Sequence, residues 1–504
     1  MASLKSLAKD TAIYGLSSIV GRFLNYLLVP LYTAKISAAS GGYGIITNIY
    51  AYVALMMVIL TFGMETTFFR FINKNDENPR HVYPTILIAV GSVALTFSAL
   101  ILIFIRPVAG AMGYADHPSY VWVMALTVAQ DAFQSIPFAY LRYQKRPLKF
   151  AAFKMLFIIA NILLNLLYFA VLPALYTTHP DIIGTIYDPT VGVGYAFYIN
   201  LACTSFISLC FYKELTGFKY VFDRRLMSRM LSYSWPMLIL GIAGILNQTA
   251  DKMLFPYVYR SADVHTQLGI YGAASKIAMI MAMITQAFRY AYEPFVFGKS
   301  KDGDNREVYA KAMKYFIIFT LLAFLTVTGY IDLLRHIIRD RDYWVGLDVV
   351  PIVMAAEIMM GVYFNLSFWY KLTDRTIWGA VFSGIGCAVL IGVNIIFVPR
   401  YGYMACAWGG VAGYATAMIL SYIAGQRYYP IAYPLKDIAI YVAVAALIYV
   451  GMSAANNHLP AVPAMGVNTV LIMVFAALIA KRDFPLSALP VIGRRFSRQS
   501  NKNK

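Results

Sequence analysis

Long apolar runs separated by short polar stretches set the pattern of this chain. A helix needs roughly 20 apolar residues to cross the hydrocarbon of a bilayer. Fourteen runs meet that need, at 11–33, 43–72, 83–105, 119–140, 151–173, 189–212, 232–257, 268–297, 312–330, 347–370, 376–398, 403–425, 437–455 and 464–480. No connection between them is long enough to fold as a separate extramembrane domain. The pattern predicts an all-α integral membrane protein with about 14 transmembrane helices.

Composition agrees. Of 504 residues, 60% are hydrophobic and 13% charged, with a mean hydropathy of +0.63. A soluble domain carries about 25% charged residues, so this chain has more apolar surface than a globular core hides. The net charge of +18 is unevenly placed. Under a fourteen-span topology, of the cations outside the spans, only Lys35, Arg106, Arg260, Arg335, Arg339, Arg341 and Arg400 fall in the loops opposite the termini. By the positive-inside bias both termini are expected to be cytoplasmic. The charge is then a topology signal and needs no nucleic-acid partner. The basic tail (Arg494, Arg495, Arg498, Lys502, Lys504) is expected to meet anionic lipid headgroups.

Little else points to catalysis. The first span is too long for a signal-peptide core and no small-residue cleavage site follows it. Cys203, Cys210, Cys387 and Cys406 all fall in spans and read as small apolar residues, neither a disulfide frame nor a metal site. There is no P-loop, no Gly-rich dinucleotide turn and no HExxH. Of the six His, only His81 is placed on the cytoplasmic side. Asn247-Gln-Thr and Asn365-Leu-Ser match the glycosylation pattern but lie inside spans. No cofactor is expected.

The two halves share features. LLVPLYTAKISAASGGYGI (27–45) matches MLFPYVYRSADVHTQLGIYGA (253–273), pairing Pro30 with Pro256 and Tyr43-Gly44 with Tyr271-Gly272. The spacing from Tyr43 to Glu65 equals that from Tyr271 to Glu293. Apolar segments resemble one another easily, so chance stands beside a repeat as the explanation. A repeat of six spans would keep both halves in one orientation, related by an axis along the membrane normal. That reading expects two parallel six-helix lobes around a central cavity, an N-lobe over 1–231 and a C-lobe over 232–435. Two extra helices and the basic tail would occupy 436–504.

Charges inside the spans carry the candidate chemistry. A charge at the bilayer centre costs at least about 3 kcal/mol, so it faces a cavity or a partner. On 268–297, Arg289 and Glu293 share a face at i, i+4. They form either a structural ion pair, with Arg289 snorkelling to the cytoplasmic interface, or a cavity group. Pro294 is expected to bend or end that helix. Lys276 sits about 140° around the helix from Arg289 and has no acidic partner on its own span. On the first span, Ser18, Arg22, Asn25 and Thr33 follow helical spacing as one polar stripe. On 232–257, Asn247 and Asp251 share a face, with Gln248 and Lys252 on the next. Glu65, Asp131 and Glu357 are candidate salt-bridge or ion-coupling groups. Asn161 and Asn165 fit either cavity lining or an interhelical hydrogen bond. Asp251 can offset Lys252, and Glu293 can offset Arg289. Arg22 and Lys276 remain, a guanidinium and an ammonium suited to a phosphate or pyrophosphate.

At these residues the chain resembles the polysaccharide flippases of the superfamily that also contains the multidrug/toxin extruders and the lipid II flippases. The resemblance rests on SLAKDTAIYGLSSIVGRFLNYLLVPLYT, FGMETTFFRF, ADKMLFPYV with LGIYGAASKIA, QAFRYAYEPFVF, and YWVGLDVVPIVMAAEIMMGVYFNLSFWYKLTDRTIWGA (343–380). It covers spans one to twelve in order. It implies a flippase moving undecaprenyl-pyrophosphate-linked oligosaccharide repeat units, such as O-antigen units, across the bacterial inner membrane. It also implies that basic residues on the first and eighth helices, here Arg22 and Lys276, meet the headgroup, with Lys252 and Arg289 as further candidates. The substrate glycolipid, membrane lipids and other polysaccharide-assembly membrane proteins are the expected partners. A coupling ion, Na+ or H+, is left open. Two alternatives stand beside this reading. One is a cation-coupled multidrug extruder of the same superfamily, using Glu65, Asp131 and Glu357. The other is an intramembrane glycan-processing enzyme, which the short loops disfavour.

Overall fold

The computed structural model describes residues 26–73, 78–299, 306–373 and 375–483; within 290–299 it describes the backbone and, of the side chains, only Tyr292. The described chain is all helix and turn, with no strand. In lipid every backbone N–H and C=O must be satisfied within the segment, which leaves helices as the spanning form for a chain of this pattern. Among the described residues, eleven helical segments are long and apolar enough to cross a membrane. Large apolar side chains stand exposed along them, among them Leu95 at 74%, Leu209 at 75% and Leu447 at 73%. That exposure suits a hydrocarbon solvent and would be a liability in water. Two more of the expected spans appear as helices of lower hydropathy or shorter length, Pro118–Tyr143 and Gly194–Cys210. Most of the first expected span lies outside the described residues, as does the basic tail.

The principal helices are α1 (Leu28–Lys35), α2 (Gly42–Thr61), α3 (Met64–Ile72), α4 (Pro79–Ile103), α5 (Pro118–Tyr143), α6 (Pro147–Leu166) and α7 (Gly194–Cys210). They continue with α8 (Arg224–Val258), α9 (Val264–Lys299), α10 (Arg306–Gly329), α11 (Val349–Leu366), α12 (Ile377–Tyr401), α13 (Tyr403–Tyr428), α14 (Leu435–His458) and α15 (Ala461–Arg482). Local chemistry sets several starts. Pro79, Pro118 and Pro147 each open a helix, where the missing N–H costs nothing. Asp223 caps α8 by accepting from the N–H groups of Arg225 and Leu226.

The run 43–72 appears as one candidate span, Gly42–Ile72, with a break inside it. Phe62 and Gly63 both adopt left-handed backbone angles, φ 50° and 67°, so Glu65 lies in the first turn of a new helix, α3. Of the bend or end expected at Pro294, the end does not occur, since α9 continues past it to Lys299. A proline removes one hydrogen bond, which a long helix in a membrane tolerates.

The described chain separates into two compact units. The first holds residues up to 276 together with 338–346 and 383–413; the second holds 277–337, 347–382 and 414–483. One core of the first unit is built by Met64, Phe68, Ile86, Leu87 and Met230. Within this unit α2 and α9 cross with their backbones nearly touching. A Cβ on Gly44 would lie 1.9 Å from the His265 carbonyl oxygen, and one on Gly272 would lie 2.4 Å from Thr47 Oγ1. Only glycine permits such an approach. In the second unit Phe316, Leu325, Tyr441, Met452 and Phe475 form a core that joins α10 to α14 and α15.

Candidate functional site

The polar groups of the first unit gather where α8 meets the first turns of α9. Lys252 Nζ lies 2.9 Å and 3.1 Å from the two carboxylate oxygens of Asp251. Tyr271 donates its hydroxyl to Asp251 Oδ2 at 2.6 Å, and its ring lies 5.1 Å from the Lys252 ammonium. The Lys252 carbonyl accepts from Asn48 Nδ2 at 2.8 Å, and Asn48 Oδ1 accepts from Tyr114 at 2.8 Å. Asp251 is buried at 6% exposure, so the triad of carboxylate, ammonium and phenol is held with its polar atoms mutually satisfied.

Lys276 lies just over one turn beyond Tyr271 on the same helix and is half-buried. Among the described residues it makes no hydrogen bond or ion pair, and the charge felt at its ammonium is that of Lys252, a second cation. Asp251 already balances Lys252. Among the described residues, this cluster thus sets two basic side chains, Lys252 and Lys276, against one carboxylate, Asp251.

The remaining sequence candidates are spread more widely. Asn247 is buried and donates to the Ser383 carbonyl at 2.9 Å and to Ser383 Oγ at 3.1 Å, joining α8 to α12. Gln248 is exposed, and its carbonyl accepts from Lys252. Asn165 accepts from the Tyr32 hydroxyl at 2.7 Å and donates to the Asn161 carbonyl at 2.8 Å, so this pair ties α6 to α1. Glu65 pairs with Arg142, whose guanidinium also lies over the Phe69 ring. Asp131 accepts from Thr204 Oγ1 at 3.2 Å and has Lys154 as its charged neighbour. In the second unit, Arg289 stands 5.0 Å from the Phe364 ring, and Glu357 is half-buried on α11. Arg22 and Asn25 lie outside the described residues, as does the side chain of Glu293. Three contributors are absent from the sequence reading of the site. Tyr271 enters there only as a repeat marker, and Arg142 and Lys154 not at all. Their partners lie 20 or more positions away in sequence, beyond the reach of helical spacing.

A fold of apolar spanning helices with a charged, hydrogen-bonded cluster within them defines a multi-pass integral membrane protein. Residues 7–291 match the model of the family described as polysaccharide biosynthesis protein, and the chain belongs to that family. No curated protein matches it in sequence. Among solved structures, the chain is similar to a lipid II flippase, MurJ, in an inward closed conformation. The TM-score is 0.71 at 13% identity, covering 93% of this chain and 98% of that one. It is also similar to an inward-facing multidrug resistance transporter of the MATE family, with TM-score 0.60 at 14% identity, covering 80% and 93%. An outward-facing multidrug resistance transporter of the MATE family gives TM-score 0.56 at 14% identity, covering 83% and 95%. The fold is the one these flippases and transporters share.

Proposed function

We propose that this chain is a flippase that carries an undecaprenyl-pyrophosphate-linked oligosaccharide repeat unit across a bacterial inner membrane by alternating access. The observation that carries the reading is Lys276, a cation within a span whose charged neighbour is Lys252, itself balanced by Asp251. A lipid pyrophosphate supplies the missing negative charge while its polyprenyl tail stays in the bilayer. Arg22 would be the second headgroup contact. In this reading residues 1–231 and 232–435 are the two lobes, 436–504 is an appendage, and both termini are cytoplasmic. This reading assigns no coupling ion, Na+ and H+ standing equally, and the protein performs no covalent chemistry.

Release must follow binding, so the site cannot hold the headgroup equally well in every state. A ligand shifts a conformational equilibrium only by its difference in affinity for the two states. Two cations on separate helices suit that requirement better than a dense basic cluster, because opening and closing of the cavity can part them.

The second reading, a cation-coupled drug extruder, draws support from Asp131, a carboxylate inside a span beside Thr204. Deleting the gene separates the two. Undecaprenyl-linked repeat units accumulating in the inner leaflet, with surface glycan lost, is the outcome expected of a flippase. Drug sensitivity with normal surface glycan would overturn that reading in favour of an extruder.

A further inference from the structure

The connection between α7 and α8, residues 211–223, is a strap held firmly from one side. Tyr83 on α4 donates its hydroxyl to the Glu214 carbonyl at 2.9 Å, and its ring lies 5.2 Å from that of Phe218. Thr85 on the same helix donates to the Val221 carbonyl at 3.3 Å and accepts from the Asp223 N–H at 3.2 Å. Within the strap, Gly217 makes a left-handed turn at φ 86°, and Tyr220 donates back to the Leu215 carbonyl at 2.6 Å. Both acidic side chains of the strap are engaged. Glu214 is buried and paired with Lys149 of α6 at 2.5 Å, and Asp223 caps α8.

The other side of the strap carries rings and cations. Tyr212, Tyr220 and Phe222 are exposed at 70%, 56% and 45%. Lys213, Lys219 and, in the first turn of α8, Arg224 and Arg225 are exposed as well, and their side chains form no ion pair among the described residues. The strap joins the end of one apolar helix, Gly194–Cys210, to the start of a membrane-spanning one, Arg224–Val258, which places it at the boundary between hydrocarbon and headgroups. Aromatic side chains favour that boundary, and Lys and Arg near it are drawn to anionic lipid. The positive-inside bias accounts for the cations alone. It does not account for three exposed rings fixed among them, and rings beside the ends of two apolar helices suit a lipid better than a hydrated acidic protein surface.

We propose that the strap and the first turn of α8 form a docking surface for anionic phospholipid headgroups of the bilayer, selected over zwitterionic ones by Lys213, Lys219, Arg224 and Arg225. Tyr212, Tyr220 and Phe222 lie against the lipid beside them. The assignment does not depend on the flippase reading and is tested without transport.

Full-length protein with Thr216→Cys, an exposed position of the strap, is labelled with an environment-sensitive fluorophore and reconstituted in phosphatidylcholine vesicles. The unsubstituted protein, whose four cysteines lie within helices, is the labelling control. Phosphatidylglycerol and phosphatidylcholine, each spin-labelled at the same acyl carbon, are added separately at equal mole fraction. Phosphatidylglycerol is expected to quench the fluorophore more strongly, and high salt to reduce that excess. Combining Lys213→Gln, Lys219→Gln, Arg224→Gln and Arg225→Gln should abolish the excess and leave quenching by phosphatidylcholine unchanged. If this variant fails to fold, Lys213→Gln with Lys219→Gln should remove part of the excess. Equal quenching by the two lipids without these substitutions overturns the assignment and leaves the cations as a topology signal only. Absence of quenching by either lipid overturns it by placing the strap away from the bilayer, and so does an excess that survives the charge substitutions. Inorganic phosphate separates a bilayer lipid from a free anion. At matched ionic strength it should act no more strongly than chloride, and selective loss of the excess in phosphate would overturn the assignment in favour of a soluble phosphate site.

Discussion

Tyr271 on α9 donates its hydroxyl to Asp251 Oδ2 on α8 at 2.6 Å, and the same carboxylate holds the Lys252 ammonium at 2.9 Å. Neighbouring residues on a helix do not normally face each other. Here Tyr271 on the adjoining helix fixes the carboxylate so that Lys252 can fold back onto it. A hydrogen bond to a charged group contributes about 1.5–3 kcal/mol, and Tyr271→Phe should lower stability by about that amount in detergent unfolding. Asp251→Asn should cost more, about 3–5 kcal/mol, because it strands the Lys252 ammonium. Adding Lys252→Met to Asp251→Asn should recover part of the loss, since the stranded charge is then gone.

The α2–α9 crossing gives a second expectation. Gly272→Ala would place a methyl 2.4 Å from Thr47 Oγ1, and overpacking of this kind costs about 1–3 kcal/mol. Thr47→Ala removes the obstructing hydroxyl and methyl. The double variant should unfold closer to wild type than Gly272→Ala alone. Gly44→Ala should find no such rescue, because the obstruction is the His265 backbone carbonyl at 1.9 Å. A thermal-shift comparison of the four variants with wild type checks the non-additivity.

The two last helices are tied to α10 by ions as well as by core packing. Lys314 lies 2.9 Å from Asp437 Oδ2 and also meets Asp483, while Arg482 pairs with Asp437 and Tyr441 donates to Asp483. Each carboxylate thus has a second partner, whereas both depend on Lys314. Lys314→Met should lower the melting temperature more than Asp437→Asn does. Truncation before Leu435 should leave an unstable protein, because Tyr441 and Phe475 belong to the same core as Phe316.

Acid should weaken the start of α8. The N–H groups of Leu226 and Arg225 hold the Asp223 carboxyl below its ordinary range. A carboxyl depressed by folding contributes stability above its unfolded value and loses it as pH falls through the folded value. Hydrogen exchange at Arg225 and Leu226 should therefore quicken on acidification below the ordinary carboxylate range. Asp223→Asn, which caps without ionising, should remove that pH dependence.

How far the sequence reveals this architecture depends on the length scale. Spanning segments are legible because about 20 consecutive apolar residues have few other uses. Pro118–Tyr143 is legible as well, although Gln130, Asp131 and Gln134 lower its hydropathy. The Asp251–Lys252 pair can be read from adjacency. The break at Phe62–Gly63 cannot, because a left-handed Phe leaves no mark in an apolar run. Tyr271 to Asp251 and Arg142 to Glu65 are contacts between helices, and single-sequence spacing carries no information on which faces meet.

The central claim is that Lys276 meets the anionic headgroup of the transported lipid. The most direct measurement is surface glycan export in cells carrying Lys276→Ala or Arg22→Ala at wild-type protein level in the membrane. Each variant is expected to lose export and to accumulate undecaprenyl-linked repeat units inside. Arg22→Lys should retain part of the activity, because the charge survives while the bidentate geometry is lost. Near-normal export by both alanine variants would contradict the assignment and move attention to Lys252 and Arg289.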